Sequence, residues 1–200
     1  MSPTELFIIA FVIGIFVFMI KIYSESKSSD FVNQKSDVDG QKYIVRNMPD
    51  KKITANMLAE IRKRLIKFCA YLAQKYPDDK RIQTTINRFT PDSIYENFPE
   101  EESNSTSYSL NKGEKLYFCL RDKKDKTKFI NINVIMFVAF HEMAHVMSMS
   151  TGHTSEFWSN FKFILKNAIK SGVYKYIDFS SKPVDYCGVM ITNSPWKPGD

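Results

Sequence analysis

The apolar positions of this chain fall into several distinct rhythms, and each rhythm predicts an element. From Leu6 to Tyr23, "LFIIAFVIGIFVFMIKIY", every side is apolar and only Lys21 interrupts the run. At 1.5 Å per residue, some seventeen residues cover roughly 25 Å, enough for a thin bilayer with Lys21 snorkelling to the interface. A cleaved signal peptide is the other reading of this stretch, with Ser24 and Ser26 as small residues for cleavage. Against it, "MSPTE" carries no Lys or Arg and the run is long for an h-region. Residues 24–41, "SESKSSDFVNQKSDVDGQ", are polar and predict a flexible tether.

Between Thr54 and Tyr76 the rhythm changes. Leu58, Ile61, Leu65, Phe68, Leu72 and Tyr76 recur at three and four, the mark of an amphipathic helix with Thr54 as N-cap and Pro77 past its end. Ile82, Ile86 and Phe89 predict a short helix over 80–89. An acidic-to-polar loop follows, "PEEESNSTS" at 99–107. A hairpin is then predicted from Tyr108–Leu110, a turn at Asn111-Lys112-Gly113, and Leu116–Arg121. In its second arm Leu116, Phe118 and Leu120 point one way, and Tyr117, Cys119 and Arg121 the other. Beyond the charged connection "DKKDKTK" at 122–128, Ile132 to Met149 is strongly apolar and reads as a helix capped by Asn131 or Asn133. Phe157, Phe161, Ile164, Leu165 and Ala168 predict another helix ending at Gly172, and 184–191 a strand. There is no internal repeat. The pattern is that of an α+β domain over 42–200, behind an anchor at 1–23 and a tether at 24–41.

Composition adjusts this picture modestly. Apolar residues make up 44% of the chain, enough for a core. The net charge of +6 fits an anionic membrane surface, a nucleic acid or a plain soluble surface. Glu60, Arg62, Lys63, Arg64 and Lys67 form the polar face of the 54–76 helix, and no nucleic-acid-binding motif accompanies them. Upstream of the apolar run stands Glu5 and no basic side chain. Downstream come Lys21, Lys27, Lys35 and Lys42, which orients the domain toward the cytosol. Three scattered cysteines, Cys69, Cys119 and Cys187, make no disulfide framework and contain no CxxC pair. They agree with a reducing compartment, with one disulfide plus a free thiol as the alternative. Asn104-Ser105-Thr106, an N-glycosylation sequon, points the other way.

All three histidines lie within "HEMAHVMSMSTGHTSEFW", residues 141–158. His141 and His145, four apart on a helix, lie one above the other on a single face and can grip one tetrahedral Zn²⁺. Glu142 stands about 100° around the helix axis from His141, placed to act as general base on a zinc-activated water rather than as a ligand. Three adjacent ionisable side chains on so apolar a helix need partners. The spacing HExxHxxGxxH fails here, because Ser148 and Thr151 stand where Gly and His would be. No Glu follows Glu156, so a distant Glu ligand is absent. His153 is the best third ligand, reached by a turn at Gly152. Glu156 is a candidate to orient His153, or else a stabilising acid in a first helical turn. Tyr186 is a candidate oxyanion donor or a strand aromatic, and Cys187 a candidate inhibitory fourth ligand or a buried strand cysteine.

This segment resembles the active site of WLM-domain and SprT-like (Spartan) zinc peptidases, in which HExxH is followed by a third His in a Gly-His-x-x-x-Phe context. The resemblance covers about residues 106–172. It implies a minimal zincin fold, with a small antiparallel sheet, the HExxH helix and a following helix bearing the third ligand. It implies one zinc on His141, His145 and His153, with Glu142 as general base and a protein or peptide as substrate. The Lys-, Ile-, Asn- and Phe-rich composition with a small anchored design is similar to metalloproteins of large DNA viruses, which implies a viral or virion membrane. The expectation is a membrane-anchored zinc metallopeptidase. The alternative is a non-catalytic, zinc-stabilised structural or interaction protein at the membrane. The sequence leaves oligomeric state and cleavage specificity open.

Overall fold

A computed structural model describes residues 2–27, 31–97 and 106–200. Most of the acidic-to-polar loop, including Asn104 and Ser105 of the sequon, lies outside the described residues. The first helix, α1 (Pro3–Lys27), follows from the unbroken apolar run. Every described side chain from Ser2 to Lys21 is exposed, and the helix is long and apolar enough to cross a membrane.

In the stretch expected to be a tether, residues 24–27 continue α1 and residues 31–41 are folded, while residues 28–30 lie outside the described residues. Strand β1 (Phe31–Lys35) pairs antiparallel with β2 (Lys42–Arg46), so the folded unit starts at Phe31. The turn between them is built by its polar residues. Ser36 Oγ donates to Asn56 Oδ1 at 3.0 Å, and the Gln41 amide donates to Asp39. A Ser/Asp-rich segment satisfies its own backbone in this way and reads as disorder when composition alone is considered.

Tyr43 and Val45 of β2 are buried on the side of the hairpin that packs against α2 (Lys51–Lys75). This helix buries Leu58, Ile61, Leu65, Phe68 and Leu72, as their spacing predicts. It begins one turn earlier than expected, and Thr54 is a buried interior residue, not the N-cap. Helix α3 (Lys80–Arg88) follows, capped by the Asp79 side chain. A three-stranded sheet has the order β3-β5-β4, with β3 (Ile94–Asn97), β4 (Tyr108–Leu110) and β5 (Lys115–Cys119). The β4–β5 pair is the predicted antiparallel hairpin, but β3 runs parallel to β5, so the sheet is mixed. Helices α4 (Ile132–Met147) and α5 (Ser155–Lys170) pack on each other, and α4 is the centre of the core. Asn131 caps α4 as expected. The C-terminal hairpin β6 (Val184–Tyr186) and β7 (Val189–Ile191) completes an α+β architecture, with five helices and small sheets among the described residues.

The end of β5 and the two residues after it are covered on both sides. Leu116, Phe118 and Leu120 fill the core, but Cys119 and Arg121 are covered as well. Cys119 forms a disulfide with Cys187, leaving Cys69 as the free, buried thiol. The pairing corrects the reading of unpaired cysteines. A separation of 68 residues gave no local sign that the topology would bring them together.

Arg121, only 2% exposed, ties the layers together. Its guanidinium donates to both Asp50 carboxylate oxygens at 2.7 and 2.8 Å, to Glu96 at 3.0 Å and to the Thr54 hydroxyl at 2.6 Å. Glu96 in turn accepts from the Arg46 amide of β2. One cation thus joins the hairpin, the start of α2, β3 and the end of β5. Asp50 spends its carboxylate here and gives its helix no side-chain cap. Replacing Arg121 with Met leaves Glu96 buried and unpaired, a change that costs about 3–5 kcal/mol in comparable cases. Urea unfolding of the full chain in neutral detergent should show a loss of that size. The Arg121 guanidinium also holds the Asp50 carboxyl below its usual range. The Asp50 contribution is therefore complete above the ordinary carboxylate pKa of about 4 and fades as pH falls below it. The parent should lose stability across that acidic range more steeply than Arg121→Met.

Candidate metal centre

Helix α4 is apolar nearly all the way round, so its burial is driven from every side. His141 and His145 lie in its last two turns, half-buried, and His153 comes back to them from the loop before α5. The three Nε2 atoms form a tight triangle, with sides of 3.3 Å (His141–His145), 3.2 Å (His145–His153) and 3.0 Å (His141–His153). Tetrahedral zinc with Zn–N bonds of 2.0–2.1 Å spaces its nitrogens by about 3.3 Å, so the donor set fits that ion.

Hydrogen bonding alone cannot account for the triangle. Each ring nitrogen either carries a proton or offers a lone pair. Among three mutual neighbours, two must share a role, and that pair repels. Full protonation is worse. Burial first, and then the neighbouring histidine charges, hold His141 down to about 3; burial, followed by the charges of His153 and Lys112, holds His145 down to about 4. Neutral imidazoles with converging lone pairs are what a cation requires. Beneath them lies Phe157, fully buried, with its ring centroid 4.8, 4.3 and 4.6 Å from those of His141, His145 and His153. It forms an apolar floor that keeps the rings from tilting away.

Glu142 points into the same cleft and is 5% exposed. Burial pushes its carboxyl up to about 7, against the opposing pull of the Ser109 backbone amide. The cleft, about 370 Å³, is walled by Ser107–Ser109 on one side and by Ser150–His153 on the other. The first wall contains β4, the edge strand of its sheet.

The loop that delivers His153 is held by residues the sequence did not single out. Lys112 Nζ donates to the carbonyls of Ser148, Met149 and Ser150 at 2.8, 2.6 and 3.0 Å, capping the C-terminus of α4 with a cation. Arg88 donates to the carbonyls of Val146 and Ser148. Lys112 reaches across from the β4–β5 turn, where Asn111 and Lys112 both adopt left-handed backbone (φ 46° and 53°). Next to them Gly113 fits where a Cβ would stand 3.0 Å from Arg88 O and Val146 Cγ1. Gly152 (φ 79°) supplies the expected turn before His153. An "NKG" turn announces a hairpin but nothing about a contact 36 residues away.

Glu156 sits at the start of α5 but does not orient the His153 ring. Its two carboxylate oxygens accept from the Met149 and Ser150 amides at 2.8 and 2.9 Å. With the Ser150 side chain, these amides hold its pKa down to about 2. Glu156 therefore steadies the loop one step removed from the ring. The reason is reach: from the first turn of α5 the nearest orphan donors are the amides just past the end of α4. Tyr186 is buried and spent. Its hydroxyl donates to the Cys119 carbonyl at 2.9 Å and accepts at 2.6 Å from the hydroxyl of Ser107, which itself lines the cleft. Cys187, bonded to Cys119, is not among the groups that converge with the histidines. The disulfide removes Cys187 from the candidate site; Tyr186 remains near Glu142, since burial and then the Glu142 charge push its hydroxyl up, but that hydroxyl is occupied by Cys119 and Ser107.

The family model for the WLM domain matches residues 81–183. An uncharacterized protein of Acanthamoeba polyphaga mimivirus is 35% identical over 195 residues, covering 96% of this chain and 97% of its own length. An uncharacterized protein of Invertebrate iridescent virus 6 is 36% identical over 69 residues, 34% of this chain and 38% of that protein. Among solved structures, Wss1 from Saccharomyces cerevisiae is 20% identical with a TM-score of 0.47, covering 61% of this chain and 81% of the other. The family model matches more than half of the residues, and the chain belongs to the WLM-domain family.

Proposed function

We propose that this chain is a membrane-anchored zinc metallopeptidase that hydrolyses peptide bonds in a protein or peptide substrate. The observation that carries the proposal is the triangle of three Nε2 atoms, 3.0–3.3 Å apart, at a cleft that also contains Glu142. His141, His145 and His153 would hold one Zn²⁺. The ion, when bound, supplies Lewis acidity that polarises a carbonyl and makes a water acidic near neutral pH. Glu142, adjacent to a ligand but pointing beside the triangle, accepts a proton from the attacking water and returns it to the leaving amine. Its burial favours a carboxyl that trades protons readily near neutrality. Among the described residues no strand pairs with the outer edge of β4, and an extended peptide would lie along Tyr108–Leu110 across the cleft, beside the Ser109 amide that faces Glu142.

The alternative role, a zinc that only staples α4 to the following loop, is favoured by no observation. Structural zinc is usually closed by four protein ligands, whereas three meet at this point among the described residues. Residues 1–23 act as the anchor in this reading. The lysines downstream of the apolar run, Lys21, Lys27, Lys35 and Lys42, support a cytosol-facing domain, while the Cys119–Cys187 disulfide is more at home in an oxidising compartment. The viral relatives support a viral protein.

Three outcomes are expected of the full chain purified in neutral detergent or left in its membrane. It should contain about one zinc per chain by elemental analysis, and His153→Ala should remove most of it; stoichiometric zinc in the variant would overturn the third-ligand assignment. Glu142→Gln should keep its zinc and fold but cut peptide hydrolysis by at least about a hundredfold, the lower range for losing a general base. Equal activity of parent and variant would refute the role of Glu142. An inactive parent with bound zinc would favour the structural role. Finally, the chain should stay with membranes through high-salt and carbonate washes, since a spanning helix does not depend on charge. A soluble product with a new N-terminus near Ser26 would instead establish cleavage.

A further inference from the structure

At the end of α4 remote from the histidines lies a second and larger cavity, of about 800 Å³. Ile132 is nine residues before His141, or about 14 Å along the helix axis. Five cations line this cavity from three separate parts of the chain: Lys63, Arg64 and Lys67 from α2, Lys175 after α5, and Lys182 before β6. The one carboxylate on the wall, Glu60, pairs with Arg64 at 2.7 Å. Among the described residues the ammonium groups of Lys63, Lys67, Lys175 and Lys182 have no carboxylate partner. Four cations left unpaired around a concavity repel one another, a cost that an anion removes.

The floor is of a different kind. Ile132, Ile177 and Val184 are half-buried there, with Val134 and Val173 beneath them. Tyr174 forms part of the wall and is 3% exposed. Its hydroxyl is sealed from solvent beside the Ile177 backbone, so the ring and not the hydroxyl faces the wall. A cationic rim over an apolar floor is unlike a simple solvated helix face, which has charge and no floor.

We propose that this cavity binds an anionic amphiphile, a phosphate or carboxylate headgroup held by the lysine rim with its alkyl chain laid over Ile132, Ile177 and Val184. The N-terminus of α4, whose first turn forms part of the wall, adds its positive end to the same field. The ligand comes either from the bilayer as an acidic phospholipid or from solution as a free single-chain anion. The site needs no metal and no catalysis, so it stands or falls apart from the peptidase reading.

The test uses the full chain in neutral detergent and octyl phosphate as probe, with binding followed by calorimetry. Octyl phosphate should bind at least about tenfold more tightly than inorganic phosphate, because each buried methylene strengthens binding several-fold. Lys63→Glu with Lys67→Glu should weaken octyl phosphate by at least about tenfold through reversal of two rim charges. Both side chains are exposed, so the fold should be untouched. Lys35→Glu with Lys42→Glu, on the separate β1–β2 hairpin, should leave the affinity within about twofold of the parent. Inorganic phosphate binding as tightly as octyl phosphate would overturn the amphiphile assignment. Equal weakening by the two double variants would overturn the site, leaving only general surface charge. The source is read in lipid nanodiscs. If phosphatidic acid in the disc abolishes octyl phosphate binding and phosphatidylcholine does not, the cavity takes a bilayer lipid; if binding persists in both, it takes the free amphiphile.

Discussion

The constraint on which the rest depends is the burial of α4. A helix that is apolar on all sides must be surrounded, and α2, α3, α5 and the β4–β5 hairpin all pack against it. Such a position leaves almost no water for a polar side chain. Glu142 and His141 are nevertheless there, with His145 beside them, and each pays in desolvation unless something in the cleft replaces the lost hydration. The three imidazole nitrogens cannot satisfy one another by hydrogen bonds, and they resist protonation in place. A cation would resolve both problems together. The same low-dielectric wall that makes the residues costly makes their interaction with an ion strong.

Holding the third nitrogen is a different problem from holding the first two. His141 and His145 are fixed by helical geometry, but His153 arrives on a loop. Two opposite charges grip that loop from two sides. Lys112 and Arg88 take the carbonyls at the end of α4, and Glu156 takes the amides that follow. Thr154 then caps α5 and starts the chain in a new direction. The arrangement converts the unsatisfied ends of two helices into a frame for one side chain. Phe157, on the first turn of α5, is locked under the rings by the same frame.

What could be read from the sequence follows the range of the interaction involved. Periodicity at three and four residues located α2, α4 and α5, and the Asn111-Lys112-Gly113 turn located the β4–β5 hairpin, because these depend on neighbours in the chain. The nearness of His141, His145 and His153 was legible for the same reason. The rest required topology. Strand β1 was hidden because "SSDFVNQKSDVDGQ" is as polar as a linker, and only pairing with β2 gives it a structure. Thr54 resembled a cap but is a partner of Arg121, whose ligands come from Asp50 and Glu96 far apart in sequence. Cys187 and Tyr186 were plausible near the site by residue type alone, and the fold spends one in a disulfide and the other in a hydrogen bond to Ser107. Glu156 had the expected supporting character but a different target, since a carboxylate in a first helical turn meets backbone amides before it meets a ring.

The two cavities stand at opposite ends of α4, and their charges match the polarity of that helix. The aligned peptide dipoles leave the N-terminus partially positive and the C-terminus partially negative. The nitrogens that converge for a cation lie in the last two turns, where a negative end favours positive charge. The lysine-rimmed cavity borders the first turn, where a positive end favours an anion. In a solvated helix this preference would be screened within a turn, but α4 is buried along its length, and the screening is correspondingly weak. The apolar sequence that forces α4 into the core thus leaves a proposed cation site at one end of the helix and a proposed anion site at the other.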